Sequence, residues 1–279
     1  MKKLLLAGLL LCLVLPRVVF AAHAEGMFDS CDKLVARQTG AQCINKFGRN
    51  NDVNTDTDPE DVWVGPTDTY NWLASASTLY ISSDDANDTE QMLVQGLNSD
   101  WELQQAVVTL SGLTFVELEN VTWIRIHRMI NANGDVLVGN IYLSSDNTDA
   151  GGDGIPDTLT DVHAFILAGQ QGTQQTAFST PLDHECAVTD FNQSLNISTG
   201  ASRVINLTIE VRAFGGVFRE VFRGNLANVG TSFSTGANPY PMPIPPKSDI
   251  AIMAETTVNS ADVAVSYTLA CLRCYDCNP

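Results

Sequence analysis

Val204-Ile205-Asn206-Leu207-Thr208-Ile209-Glu210-Val211-Arg212 alternates apolar and polar residues with a period of two. Successive side chains of a strand point to opposite faces, so Ile205, Leu207, Ile209 and Val211 take a core side and Val204, Asn206, Thr208, Glu210 and Arg212 the other. Trp123-Ile124-Arg125-Ile126-His127-Arg128-Met129 reads likewise, with Ile124, Ile126 and Arg128 facing away from Trp123, Arg125, His127 and Met129. Working outward, runs rich in Val, Ile, Leu, Phe, Thr and Tyr predict strands near 70–82, 91–97, 103–111, 115–130 (broken near Asn120), 136–144 and 160–168. Further strands are predicted near 175–179, 185–191, 203–213, 217–224, 249–257 and 262–271.

Turn chemistry punctuates the pattern. Asn133-Gly134 predicts a hairpin between the run ending at Ile130 and the run beginning at Val136, and Gly215-Gly216 divides two later strands. Residues 239–246 are too proline-rich for an interior strand, because proline gives no N–H to the ladder, and should form an extended connection into Ile250. Helical periodicity is scarce. The expectation is an all-β protein: a single antiparallel β-sandwich, jelly-roll-like, over residues 70–272, with an extended N-terminal arm at 25–69 and a cysteine-containing tail at 273–279.

The start of the chain has the three-part layout of a secretory signal peptide: Met1-Lys2-Lys3, an apolar run, and Ala22-His23-Ala24 as a small-residue cleavage site. Cleavage is expected after Ala24, with an N-terminal membrane anchor as the alternative; the apolar run from Leu4 to Leu15 is short of the roughly 20 residues a bilayer needs. No other segment reads as membrane-spanning, so no membrane contact is expected after cleavage. Formal net charge is −17, and loss of Lys2, Lys3 and Arg17 makes it more negative still. Such a surface repels phosphate backbones, so nucleic acid is not an expected partner.

Cys31, Cys43, Cys186, Cys271, Cys274 and Cys277 remain after cleavage. An even count behind a signal peptide favours disulfides over the zinc that the two overlapping C-x-x-C spacings at the end suggest, and connectivity stays open. Catalytic motifs are wanting: no G-x-S-x-G, H-E-x-x-H or P-loop occurs, and His127, His163 and His184 are the only histidines left after cleavage. Asp183-His184-Glu185-Cys186 sets a base close to a thiol, and its plain reading is a loop residue near a disulfide. The expectation is no enzyme.

Asp149, Asp153 and Asp157, with Asp161 beyond, crowd oxygen ligands into a glycine-rich loop, and Asp153-Gly154-Ile155-Pro156-Asp157 resembles half of a thrombospondin-type calcium loop. Gly151 stands where a full frame wants an acid, so calcium is weighed against a plain solvated loop. Asn87, Asn120, Asn192, Asn196 and Asn206 head glycosylation sequons. Trp63, Trp72, Trp101 and Tyr240 offer either a sugar-stacking platform or buried anchors.

KFGRNNDVNTDTDPEDVW, DWELQQAVVTLSG, WIRIHRM, GNIYL and PPKSDIAIMA follow one another between Lys46 and Leu269. In that order they resemble virion structural proteins of tailed bacteriophages, in particular marine podophage-like viruses. The resemblance carries over no catalytic residue. It implies a non-enzymatic structural protein of a virion or particle surface that contacts itself and other particle subunits, and that attaches to a host. The signal peptide and six cysteines depart from that pattern and favour the rival reading, a secreted adhesin or carbohydrate-binding sandwich with a cell-surface glycan as partner. The location expected is accordingly the virion surface or the extracellular space. Residues 45–66 are core-poor and turn-rich, which suits an arm docked on an adjacent subunit of a homo-oligomer, a trimer by analogy with viral β-sandwiches. Phe47, Val62 and Trp63 would anchor the arm and Arg49 would pair with a carboxylate; packing on its own domain is the alternative.

Overall fold

The computed structural model describes residues 40–55, 58–196, 203–228, 233–237, 243–257 and 259–274. The signal peptide, Cys31, Cys277 and Tyr240 lie outside them. The described chain is all-β, with antiparallel pairing throughout and one 3₁₀ turn at Leu159–Asp161. Among the described residues no helix is long and apolar enough to cross a membrane.

The strands form four sheets rather than one sandwich. The first contains β1 (Ala41–Val53), β17 (Ala261–Arg273), β11 (His184–Asn196) and β14 (Phe233–Ala237) in that order, with β15 (Pro243–Ile244) also on β11. The second runs β10 (Phe178–Ser179), β16 (Ser248–Thr256), β12 (Arg203–Ala213), β13 (Arg219–Asn228), with β2 (Glu60–Asp61) also on β16. One core cluster joins them: Phe191, Val263, Val265 and Leu269 from the first meet Ile205, Leu207, Ile209 and Ile252 from the second. The inward face expected for 204–212 is found, with Ile205, Leu207 and Ile209 buried and Val211 half-buried against the same core, but on the other face Thr208 is buried too.

The other two sheets are β6 (Val116–Glu117), β3 (Tyr80–Ser83), β8 (Ile141–Ser144), β9 (Val162–Ile166), and β5 (Leu103–Thr109), β4 (Gln91–Asn98), β7 (Trp123–Asn131). Their core is separate and centres on Leu79, Ile81, Met92, Trp123, Met129 and Leu143. This second unit is an excursion from one edge of the first. Glu60–Asp61 pairs with Ala254 and Met253, and Phe178–Ser179 pairs with Ile250 and Asp249, so β2 and β10 lie in line along β16. Between them the Val62 N–H reaches the Ile252 carbonyl at 2.8 Å.

Several expectations change. Within the segment read as an arm, Ala41–Val53 is a strand: β1 pairs with β17 from Ala41↔Leu272 to Val53↔Ala261. Asn133-Gly134 makes a turn, with Asn131 Oδ1 accepting both N–H groups, but not a hairpin, because β7 pairs with β4 and β8 lies in another sheet. Residues 70–79 form no strand; Tyr70, Leu73 and Leu79 are buried anchors on a loop. The break near Asn120 is real, at a φ of 66°. Gly215, at φ 74°, turns β12 into β13 as expected.

Cys186 and Cys271 face each other across β11 and β17 and form a disulfide within the core, closing a separation of 85 residues. A cross-link over that length constrains the unfolded chain by about 4–5 kcal/mol. Cys43 and Cys274 are disulfide-bonded as well.

Candidate functional site at the junction of the two units

β7 is buried on both faces, and its alternation breaks twice. The register with β4 slips between Gln95/Gly96 and again between Leu97/Asn98, so Trp123, Ile126 and Met129 all enter the second core. A bulge adds one residue and re-aims the side chains after it. Gly96 permits the first slip, because a Cβ there would overlap the Arg125 carbonyl. The strict period-two face expected from the sequence is therefore corrected, and Arg125 and His127 point into the junction.

Arg125 Nε donates to Asp249 Oδ1 at 2.7 Å and Nη2 to Oδ2 at 2.8 Å, while Nη1 donates to the carbonyls of Leu73 and Ile124. Asp249, with no exposed surface, also accepts from Arg212 Nε at 2.9 Å and Ser179 Oγ at 2.6 Å. The Arg125 guanidinium lies 5.4 Å from the ring centre of Trp72, 5.2 Å from Trp101 and 5.1 Å from Phe214, and Arg212 lies 4.3 Å from Phe218. A buried charge pair is tolerable only when its remaining donors and acceptors are used, as they are at Asp249. Trp101 reaches this cluster from a left-handed backbone, φ 65°, in a turn held by Asn98 Oδ1 on the N–H groups of Asp100 and Glu102.

His127 Nε2 accepts the Ser179 N–H at 3.3 Å, and its ring lies 4.2 Å from that of Phe178. Burial and then the Lys46 cation hold its pKa well below the ordinary value. Lys46 is itself buried, donates to the His127 carbonyl at 2.5 Å, and is pushed down to about 7 by burial and then by Arg128. Nearby, the Asp61 carboxyl accepts the Tyr70 N–H at 2.8 Å, yet burial raises it to about 7.

A cavity of about 590 Å³ opens beside the junction, walled by Tyr70, Trp72, Phe214 and the two arginines. Ser145 and His163 line the same cavity. Ser145 Oγ lies 3.0 Å from His163 Nε2, and His163 Nδ1 lies 2.8 Å from the Asn71 carbonyl oxygen.

The residues singled out in the sequence are scattered. Val62 and Trp63 are buried within the chain, Arg49 forks onto Asp262 at 2.7 Å, and Phe47 is 47% exposed. Trp63 and Trp101 are buried, whereas Trp72, packed against both arginines, is half-buried in the wall of the cavity. In the Asp-rich loop Asp149 accepts the N–H groups of Gly152, Asp153 and Gly154, and Asp157 accepts that of Ala150. The Gly154 bond foremost keeps Asp149 below the usual carboxylate range. These carboxylates close the loop on itself, and Asp153 turns to the Ile155 N–H. His184 pairs with Asp183 at 2.7 Å, and Cys186, two residues on, is in the disulfide. The junction residues Arg125, Arg212 and Asp249 were not expected as a site; each sits singly in a strand, and only the topology joins them.

No protein-family model matches the chain, and no curated protein is similar to it. Among solved structures, the crystal structure of the infectious bursal disease virus VP2 subviral particle overlays 84% of this chain and 72% of its own at 14% identity, TM-score 0.23. The structure of the Gt strain of the same virus overlays 85% and 78% at 12% identity, TM-score 0.21. Overlays at this level fix neither fold nor role.

Proposed function

We propose that the chain is a structural protein of a virion or particle surface, working through contacts with copies of itself and with other particle subunits, and of the kind found in tailed bacteriophages. The observation that carries the reading is the winding of the first unit. Take β2 with β10 as one interrupted strand along β16, and β14 with β15 as another along β11; eight strands then fall in two sheets of four, the first beside the last and the second beside the seventh. We read this winding as a jelly roll, an architecture used by viral capsid and lectin domains. The excursion between β2 and β10 would be a projection from that shell.

Exposed features fit assembly. β5, LQQAVVT, carries no charge, pairs among described residues with β4 only, and exposes Leu103 and Val107. An unguarded edge on so acidic a chain is a place where two copies meet without repulsion. Phe47 adds an exposed aromatic. A homo-oligomer follows, with a trimer as the first expectation, on a virion surface or outside the cell. The reading requires no cofactor. Light scattering of the chain from residue 25 tests it: a mass that is an integer multiple of one subunit supports assembly, and one subunit's mass at all concentrations counts against it.

The second reading, a secreted glycan-binding module, is favoured by the aromatic-walled cavity, since lectins also use jelly rolls. Saturable binding on a glycan array, lost in Trp72→Ala, would promote it.

A further inference from the structure

The cavity beside the junction holds a serine and a histidine in the relation of nucleophile and base. A carbonyl oxygen only accepts, so the Asn71 carbonyl at 2.8 Å fixes the ring proton on His163 Nδ1. Nε2 is then the acceptor, and Ser145 Oγ–H, 3.0 Å away, is the donor. That polarity is what a serine needs to lose its proton on attack. The Asn71 carbonyl orients the imidazole, the role a carboxylate has in Ser-His-Asp sites.

The environment suits the roles. Burial, foremost, holds the His163 pKa below its ordinary 6.5, with the Asn71 bond and Asp161 opposing and Arg125 assisting, so the ring is neutral at pH 7. Ser145 follows β8 and is only partly buried, and both side chains open onto the cavity. Trp72 and Phe214 give that cavity apolar walls, and Arg212 gives it a cation.

We propose that Ser145 and His163 form an acyl-transfer site that hydrolyses small carboxylic esters. Ser145 Oγ attacks the ester carbonyl carbon while its proton passes to His163 Nε2, and a tetrahedral oxyanion forms. The carbon–oxygen bond to the alcohol breaks, and Nε2–H protonates the leaving oxygen. Water then adds to the acyl-serine, giving a proton to Nε2, and the acid departs as Oγ recovers it. This chemistry goes beyond the structural role proposed above, which stands whether or not the site is active.

The test is exposure of the whole chain to a fluorophosphonate probe, with peptide mass spectrometry to locate the adduct, beside p-nitrophenyl acetate hydrolysis. We expect an adduct on Ser145, and hydrolysis reduced about 100-fold or more in Ser145→Ala and in His163→Gln. The wild-type rate should stay level down through pH 6.5 and fall only at more acid pH, as the ring protonates. A wild-type chain that stays unlabelled at Ser145, or hydrolysis unchanged in Ser145→Ala, overturns the proposal. The first result needs no variant to fold.

Discussion

Arg125 on β7 and Asp249 on β16 form a two-pronged ion pair, 2.7 and 2.8 Å, between two β units whose cores are otherwise separate. With Arg212 and Ser179 on the same carboxylate, it is the polar centre of the junction.

Replacing Asp249 by Ala should therefore do more than remove one contact. It leaves Arg125 buried without its anion, and breaking such a pair costs about 3–5 kcal/mol. Scanning calorimetry should show a single transition for the wild type and two for Asp249→Ala, as the units uncouple. A variant melting in one transition at the wild-type temperature would show that the junction does not hold them together.

Lys46 gives a pH dependence. Its pKa falls from 10.5 to about 7 on folding, so between those values the unfolded chain binds more protons than the folded one. Stability contributed through this group is thus lowest below pH 7 and rises toward pH 10.5. Lys46→Met should raise the melting temperature at pH 6–7, with the advantage shrinking toward pH 10. An advantage independent of pH would show that packing, not charge, is responsible.

Deleting residues up to 53 should not yield a folded monomer. β1 covers one edge of β17 and supplies Val53 to the core. The truncated chain should aggregate or lose cooperative melting in circular dichroism. A soluble chain with wild-type melting would show that the segment is an appendage after all.

β12 was legible because Ile205, Leu207 and Ile209 carry its inward face; β1 was not, because its inward residues include Lys46, Gly48 and Asn50. Each has a private arrangement: Lys46 on a carbonyl, Gly48 against Val62 and Thr176, and Asn50 on Glu60 and the Asp61 carbonyl. The period of two is there, but polar residues bear it, and an apolar scan passes over it. The division into two units was hidden for a related reason, since the excursion begins and ends at the two-residue strands β2 and β10. Arg125 was assigned a face but not a partner, because Asp249 is 124 residues away and two bulges aim the side chain. Ser145 and His163 lie 18 residues apart and share no motif, so only the β8–β9 pairing and the Asn71 loop bring out their relation.

Whether the chain is a structural subunit of a particle surface is decided by quantitative mass spectrometry of purified particles from the system that carries its gene. Its peptides should be present in a fixed, integer-like ratio to the major shell protein, retained through density-gradient banding. Particles that band intact without those peptides would contradict it.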